Sequence, residues 1–171
     1  KQWIALIAIK SSIKAIHCFI GSPQSTASMD GGEPMKQWIA LIEDFIANKK
    51  DAQFADEFAM MEEAFATYKE IIAMVEGWRA ENRHLIQLFG TRVLHAASMI
   101  VCGQLMLDQA LLAAKKLAEL GDDHYDANFY KSKIATARFY VLNVVPAVFG
   151  TIKAMKVADT SAIDIPEEAF V

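Results

Sequence analysis

Apolar residues recur at helical spacing along most of the chain after residue 33. Between Phe54 and Val75 they alternate steps of four and three, and most acidic residues lie off this stripe. Such a period is typical of an amphipathic helix, whereas a strand repeats at every second residue. The pattern predicts four helices, at about residues 34–48, 52–76, 83–120 and 127–156, with the second break near residues 77–82.

Local signals predict how these helices begin and end. Asp51 and Asp126 are suited to cap the second and fourth helices, because a carboxylate there accepts bonds from free N–H groups. Gly121 predicts a left-handed C-cap after the third helix. Pro146 lies inside the fourth stripe, where its ring clashes with the carbonyl four residues back. We therefore expect a kink near Leu142.

The chain divides near residue 30. Residues 1–20 are apolar and carry lysines but no acid, which predicts an additional N-terminal helical segment, and a Ser-, Gly- and Pro-rich linker follows. Residues 1–7 recur identically at residues 36–42, and the match then stops. A structural repeat would persist over ~20 to 50 residues, so a local duplication or a segment added in cloning is favoured. The predicted domains are residues 1–29 and residues 30–171.

Composition agrees with an all-α class. Hydrophobic residues make up 54% of the chain, with four prolines, and the excess of Ala, Leu and Met favours helices. Long helices joined by short turns predict an up-and-down four-helix bundle. The most apolar window, residues 93–112, contains His95 and Asp108, and an ionised group in a bilayer centre is costly. A core helix, and no membrane span, is therefore predicted.

Charge and cysteine content restrict the partners and the compartment. The net charge is −4, and no stripe of Lys and Arg is present to displace counterions from phosphate. Nucleic acid is therefore not an expected partner. Cys18 and Cys102 form no Cys-x-x-Cys pair, which fits free thiols in a reducing compartment, and we expect a cytoplasmic protein.

The strongest catalytic pattern is Glu81-x-x-His84, which would place a carboxylate and an imidazole on one helix face. Di-iron bundles use that unit twice, with two further glutamates, and here it occurs once. Glu62 and Glu76 would complete a site only if the geometry is assumed, so a solvated helix start is favoured over a metal site. His95 is interpreted as a core or edge histidine rather than as an acid–base residue. No Gly-x-Ser-x-Gly or phosphate-binding loop occurs, and no catalytic, cofactor-binding or metal-binding residue is predicted.

A structural ion pair is predicted between Asp108 and Arg138. Asp108 lies 12 residues before the turn between helices three and four, and Arg138 lies 11 residues after it. At ~1.5 Å per residue both are about 16 to 18 Å from the turn. Since both adjoin apolar positions, each would need a partner, and the pair would fix the register of the two helices. The alternative is that both charges point to solvent.

Three stretches resemble a known module: Leu88-Phe89-Gly90, residues 103–117 (GQLMLDQALLAAKKL) and residues 129–146 (FYKSKIATARFYVLNVVP). The chain end, IPEEAF at residues 165–170, is similar too. This module is the extra C-terminal helical domain of acyl-CoA dehydrogenases of the 3-methylmercaptopropionyl-CoA dehydrogenase-like subgroup. The resemblance covers about residues 30–171 and is most specific at residues 133–146.

The resemblance implies a parent enzyme that oxidises an acyl-CoA to the 2,3-enoyl-CoA with FAD and an electron-transfer flavoprotein. The family's catalytic glutamate and FAD contacts belong mainly to preceding domains, so no such residue is carried over to this chain. The module is expected to pack against the catalytic domains of the parent, to support assembly, and to form a homo-oligomer if it exposes an apolar face. The alternative is an independent helical-bundle interaction protein that self-associates.

Overall fold

The computed structural model describes residues 33–170, and no strand occurs in that part of the chain. The predicted all-α class is confirmed. The predicted N-terminal helical segment lies outside the described residues. The elements, in chain order, are α1 (Glu33–Asn48), a 3₁₀ turn (Ala52–Phe54), α2 (Ala55–Glu81), α3 (Arg83–Leu120), α4 (Ala127–Phe139), a π-helical turn (Tyr140–Val144), α5 (Ala147–Val157) and a 3₁₀ helix (Glu167–Phe170).

Successive helices run antiparallel, as an up-and-down bundle requires. Trp78 near the end of α2 stacks against Phe89 near the start of α3, with ring centroids 5.6 Å apart. Gly103 in the middle of α3 lies against Met61 of α2 and against Val145 after the π-helical turn. Since α4, the turn and α5 follow one another as one rod, the bundle has four rods with a shared apolar core.

The first helix is held against α2 by aromatic side chains. The Trp38 ring meets the Tyr68 ring edge-on at 5.3 Å and the Phe65 ring at 6.2 Å, and Ile42 is fully buried beside them. The indole N–H of Trp38 and the hydroxyl of Tyr68 are buried without a hydrogen-bond partner among residues 33–170. Burial raises the pKa of Tyr68 above its usual range, because the phenolate would lose its hydration.

The capping predictions have different outcomes. Asp51 is confirmed as a cap: its carboxylate accepts the backbone N–H of Gln53 at 2.8 Å and starts the 3₁₀ turn that leads into α2. The Asp126 cap is wrong, because its carboxylate makes no capping bond to α4. It accepts the Tyr125 hydroxyl instead, which raises the pKa of Tyr125, and the Asp126 N–H donates to His124 Nδ1 at 3.2 Å.

Two helix ends also differ from expectation. Gly121 has a positive φ of 83°, which favours glycine, but its ψ of 164° is extended and not left-handed helical. The second helix does not break at Gly77. It continues to Glu81, and Asn82 alone separates α2 from α3. A glycine inside a helix costs only about 1 kcal/mol, which neighbouring packing offsets.

Before Pro146 the α-helical hydrogen bonding gives way to a π-helical turn at Tyr140–Val144, which includes Leu142, and the kink expected there stays a prediction. The Val145 N–H donates to the Tyr140 carbonyl at 3.2 Å, five residues back instead of four. Since Pro146 has no N–H and its ring would meet the Leu142 carbonyl, one wider turn accommodates it. Val145 then points into the core.

Two rods, Arg83–Leu120 and Ala127–Val157, are long and apolar enough to cross a membrane by length and composition alone. In this structure their buried side chains pack in the common core of the bundle. A core helix of a soluble protein passes the same test, so this finding is weak evidence for a membrane. The absence of a membrane span stays a prediction.

Candidate functional site

A buried carboxylate at the start of α2 is the most unusual polar feature of the described residues. Glu57 lies in the first turn of α2, and its side chain is only 6% exposed. A carboxylate near a helix N-terminus is stabilised by the free N–H groups there. Buried charges are nevertheless costly unless they are paired, so the partner of Glu57 decides what this site does.

The partner is Arg138, in the last turn of α4. Its Nε lies 3.1 Å from Glu57 Oε1, and its Nη2 donates to the Gln53 carbonyl at 2.8 Å. The guanidinium carbon lies 5.3 Å from the centre of the buried Phe54 ring, within the range of a cation–π contact. Arg138 therefore joins the 3₁₀ turn, the start of α2 and the end of α4.

This arrangement, which we call the Glu57–Arg138 cluster, is suited to holding helices and not to catalysis. The guanidinium lies against the carboxylate and compensates its charge. Two of its nitrogens already bind protein atoms. The remaining lining residues of the depression beside it are Ala52, Ala55 and Asp56, and none is a nucleophile in an activated setting.

The sequence prediction of an Asp108–Arg138 pair is wrong. Arg138 binds Glu57, and Asp108 is exposed on α3. Counting from the turn gives the level of a residue along the hairpin, and the contact between Gly103 and Val145 shows that such levels do match between α3 and the rod that begins with α4. The count does not give the direction around the helix axis, and Arg138 points towards α2.

The burial of Glu57 had a signal in the sequence. Glu57 precedes Met61 by four residues and Ala64 by seven, which puts it on the same helix face as those fully buried side chains. A stripe drawn only through aromatic and large aliphatic residues leaves out the side of the helix on which Glu57 and Ala64 lie. Including alanine widens the stripe and brings Glu57 onto it.

The candidate metal residues are not brought together. Glu81 is the last residue of α2 and His84 belongs to α3, so the break at Asn82 separates them. Glu62 pairs with Lys50 at 2.8 Å, and Glu76 pairs with Arg79 at 3.2 Å. Residues 33–170 contain no group of three or more His, Cys, Asp or Glu side chains that could hold a metal ion.

The remaining sequence candidates are surface residues or neighbours of the core. His95 is exposed, and its carbonyl accepts the Ser98 hydroxyl at 2.8 Å, which fits the edge interpretation. The structure adds one contact that the sequence did not indicate: Tyr140 lies beside Cys102. Burial and the hydrogen bond with Cys102 raise the pKa of Tyr140 to about 12.

The described residues do not fit an FAD. Two depressions near the start of α2 are open to solvent. One is lined in part by Lys50 and Glu62, which pair with each other, and the other is lined by the Glu57–Arg138 cluster. A flavin site needs a large apolar pocket with groups for the pyrophosphate, such as a Gly-rich loop at a helix N-terminus.

Comparison with known proteins places this bundle in a family. Residues 38–166 match the family model described as acetyl-CoA dehydrogenase C-terminal like. Two curated relatives, both named butyryl-CoA dehydrogenase and both from Syntrophomonas wolfei subsp. wolfei, are 73% and 64% identical over 143 residues. Each alignment covers 84% of this chain but 23% of the relative, so the chain spans about a quarter of the length of these proteins.

Proposed function

Because this chain belongs to the acetyl-CoA dehydrogenase C-terminal-like family, we propose that it is the non-catalytic C-terminal domain of an FAD-dependent acyl-CoA dehydrogenase. In this proposal it packs against the catalytic domains of the parent enzyme and supports their assembly. FAD and the acyl-CoA bind to those other domains, and the enzyme acts in the cytoplasm. The 3-methylmercaptopropionyl-CoA dehydrogenase-like subgroup is part of the same proposal.

The observation that carries this function is the family match over a bundle in which Glu57, the buried charged side chain of residues 33–170, is engaged in holding helices together. Arg138 contacts Glu57 and Phe54, which precede it in the sequence by 81 and 84 residues. A domain that packs on a larger body needs a rigid shape more than it needs a reactive group.

The test uses a relative whose remaining domains are present. In one S. wolfei butyryl-CoA dehydrogenase, the segment that matches residues 38–166 is either deleted or replaced by those residues of this chain. We expect the replaced enzyme to retain FAD and acyl-CoA oxidation, and the deleted enzyme to lose FAD or to aggregate. An unrelated helical bundle of equal length, inserted at the same place, is the control.

Two results would contradict the proposal. The first is a deleted enzyme that keeps its flavin, its activity and its oligomeric state. The second is stoichiometric FAD binding by the isolated 171-residue chain, measured by its visible spectrum after gel filtration. Reading the gene upstream of Lys1 gives an independent check, because the proposal expects dehydrogenase sequence in the same frame.

The second candidate function is that of an interaction module that forms a homo-oligomer. The specific observation in its favour is the outer face of α4, where Phe129 is 57% and Phe139 is 64% exposed. Large aromatic side chains are seldom left in water together unless another surface covers them. Self-association of the isolated chain is compatible with a role in the parent enzyme. The oligomeric state of the chain and the FAD content and activity of the chimeric enzyme are separate measurements.

A further inference from the structure

The first helix covers only part of α2. Phe45 stacks on Phe58 with ring centroids 5.7 Å apart, and Trp38, seven residues earlier, meets the Tyr68 ring at 5.3 Å. α1 therefore runs antiparallel to α2 and begins at Glu33, about 8 Å beyond the Trp38 contact. About the last third of α2 extends past the start of α1.

The fourth rod ends at nearly the same level. Lys156, next to the last residue of α5, pairs with Glu70 at 3.3 Å. α2 continues from Glu70 to Glu81, about 16 Å further, and α3 returns over the same distance after Asn82. We call residues 71–93, which lie within eleven residues of Asn82, the hairpin tip. Of the four rods, only α2 and α3 form this tip.

The hairpin tip carries an exposed strip of small side chains on α2. Ala73, Gly77 and Ala80 follow one another at steps of four and three residues, and all three are exposed. A Cβ at Gly77 would meet nothing within 4 Å. A glycine inside a helix weakens the helix, and packing within residues 33–170 gives no reason for this one. Small side chains do allow another backbone to approach closely.

Two arginines of the hairpin tip have no carboxylate partner among residues 33–170. Arg83 Nε donates to the Arg79 carbonyl at 3.4 Å, and the Arg92 guanidinium lies 5.6 Å from the centre of the Phe89 ring. A surface that covers the tip would therefore place carboxylates opposite these two side chains or leave them in water.

The polypeptide enters the bundle beside the base of the hairpin tip. The alignment with each relative is 143 residues long, which is longer than the stretch from Glu33 to Val171, so it continues across the start of α1. It covers only 23% of each relative. In a C-terminal domain the other domains precede α1, so their last residues are attached at the level where the tip begins.

The outer face of α4 lies farther from this attachment. Phe139 follows Arg138, whose partner Glu57 is in the first turn of α2. The exposed rings of α4 are therefore towards the opposite end of α2 from the hairpin tip. Covalent attachment raises the effective concentration of the preceding domains most strongly for the surface nearest to the joining point.

We infer that the catalytic domains of the parent enzyme contact this domain on the hairpin tip, with the strip of Ala73, Gly77 and Ala80 against their surface. The inference rests on the proposed function and identifies the surface that serves it. The contacting surface is apolar opposite the strip and carries carboxylates opposite Arg83 and Arg92.

Hydrogen exchange measured by mass spectrometry compares the hairpin tip in two settings, the isolated 171-residue chain and the chimeric S. wolfei enzyme that carries residues 38–166. We expect residues 71–93 to exchange on the order of tenfold more slowly in the chimera, because an uncovered pair of helices opens locally more often than a covered one. Residues 129–139 of α4 are the internal reference and should exchange at similar rates in both settings.

Gly77→Arg tests the contact itself. Arginine is a better helix former than glycine and its Cβ would meet nothing within 4 Å, so the isolated variant should melt at the same or a higher temperature. In the chimera its side chain would lie between the two surfaces, and the slow exchange of residues 71–93 should be lost. Gly150→Arg is the matched control: Gly150 is also exposed, helical and open within 4 Å, but it belongs to α5, and its chimera should keep the slow exchange.

Three results would overturn the inference: equal exchange of residues 71–93 in the two settings, slower exchange confined to residues 129–139, or slow exchange that survives Gly77→Arg. The FAD content and activity of the chimera are measured on the same samples. A chimera that keeps FAD and activity while its tip exchanges as fast as the isolated chain overturns this surface alone. A chimera with a slowly exchanging tip but without FAD and activity contradicts the proposed function alone.

Discussion

In the Glu57–Arg138 cluster, removing the arginine should cost more stability than removing the glutamate. Changing Arg138 to Met leaves a carboxylate whose side chain is 6% exposed without its cation, whereas changing Glu57 to Gln leaves a guanidinium that is 44% exposed and can be hydrated. Breaking a fully buried pair costs about 3 to 5 kcal/mol. Because Arg138 is partly exposed, we expect about 2 to 3 kcal/mol for Arg138→Met, at the lower end of that range or below it.

Glu57→Gln should cost less, about 1 kcal/mol, since Arg138 keeps its bond to the Gln53 carbonyl and its position over Phe54. The double variant should lose less stability than the two single variants lose together, and the difference, the coupling energy, should be about 1 to 2 kcal/mol. Urea unfolding followed by circular dichroism gives all three free energies, if the slope with urea is unchanged.

An exposed pair in the same bundle serves as the control. Lys156 and Glu70 also join two rods, at 3.3 Å, but their side chains are 61% and 62% exposed. Lys156→Met should therefore cost under ~1 kcal/mol, and salt at about 1 M should remove most of that cost. Two outcomes would contradict the role given to burial: equal costs for Arg138→Met and Glu57→Gln, or a cost for Arg138→Met as small as that for Lys156→Met.

Two further changes test the core. Tyr68→Phe removes a buried hydroxyl that has no partner among residues 33–170, so it should leave stability unchanged or raise it by about 1 kcal/mol in urea unfolding; a loss above ~1 kcal/mol would mean that the hydroxyl is hydrogen-bonded. Because burial raises the folded-state pKa of Tyr68, its neutral hydroxyl makes its full contribution to the free energy of unfolding below the unfolded pKa of 10.0. That contribution is lost as the pH rises above this value, and Tyr68→Phe should reduce the loss. Gly103→Val should cost about 1 to 3 kcal/mol, since a Cβ there would lie 2.7 Å from Met61 Sδ and 3.2 Å from Val145 Cγ2; an unchanged melting curve would show that Met61 and Val145 move freely.

The positions of the helices follow from the sequence alone. A 3.6-residue period and a composition rich in Ala, Leu and Met leave little choice of secondary structure, and short turns leave little choice of neighbours. Pro146 marked the place where regular α-helical bonding is lost, because proline lacks an N–H wherever it is placed, and the π-helical turn lies there. The resemblance at residues 129–146 pointed to the family that residues 38–166 match.

Features that depend on rotation about a helix axis, or on packing between distant residues, emerge only in the folded bundle. Spacing gives the height of Arg138 along its rod, but the partner could be on α2 or on α3, and the packed bundle selects Glu57. The second helix passes through Gly77 because long-range packing outweighs a local cost of about 1 kcal/mol. Likewise, the exposure of Phe129 and Phe139 follows from which face of α4 the other rods leave uncovered.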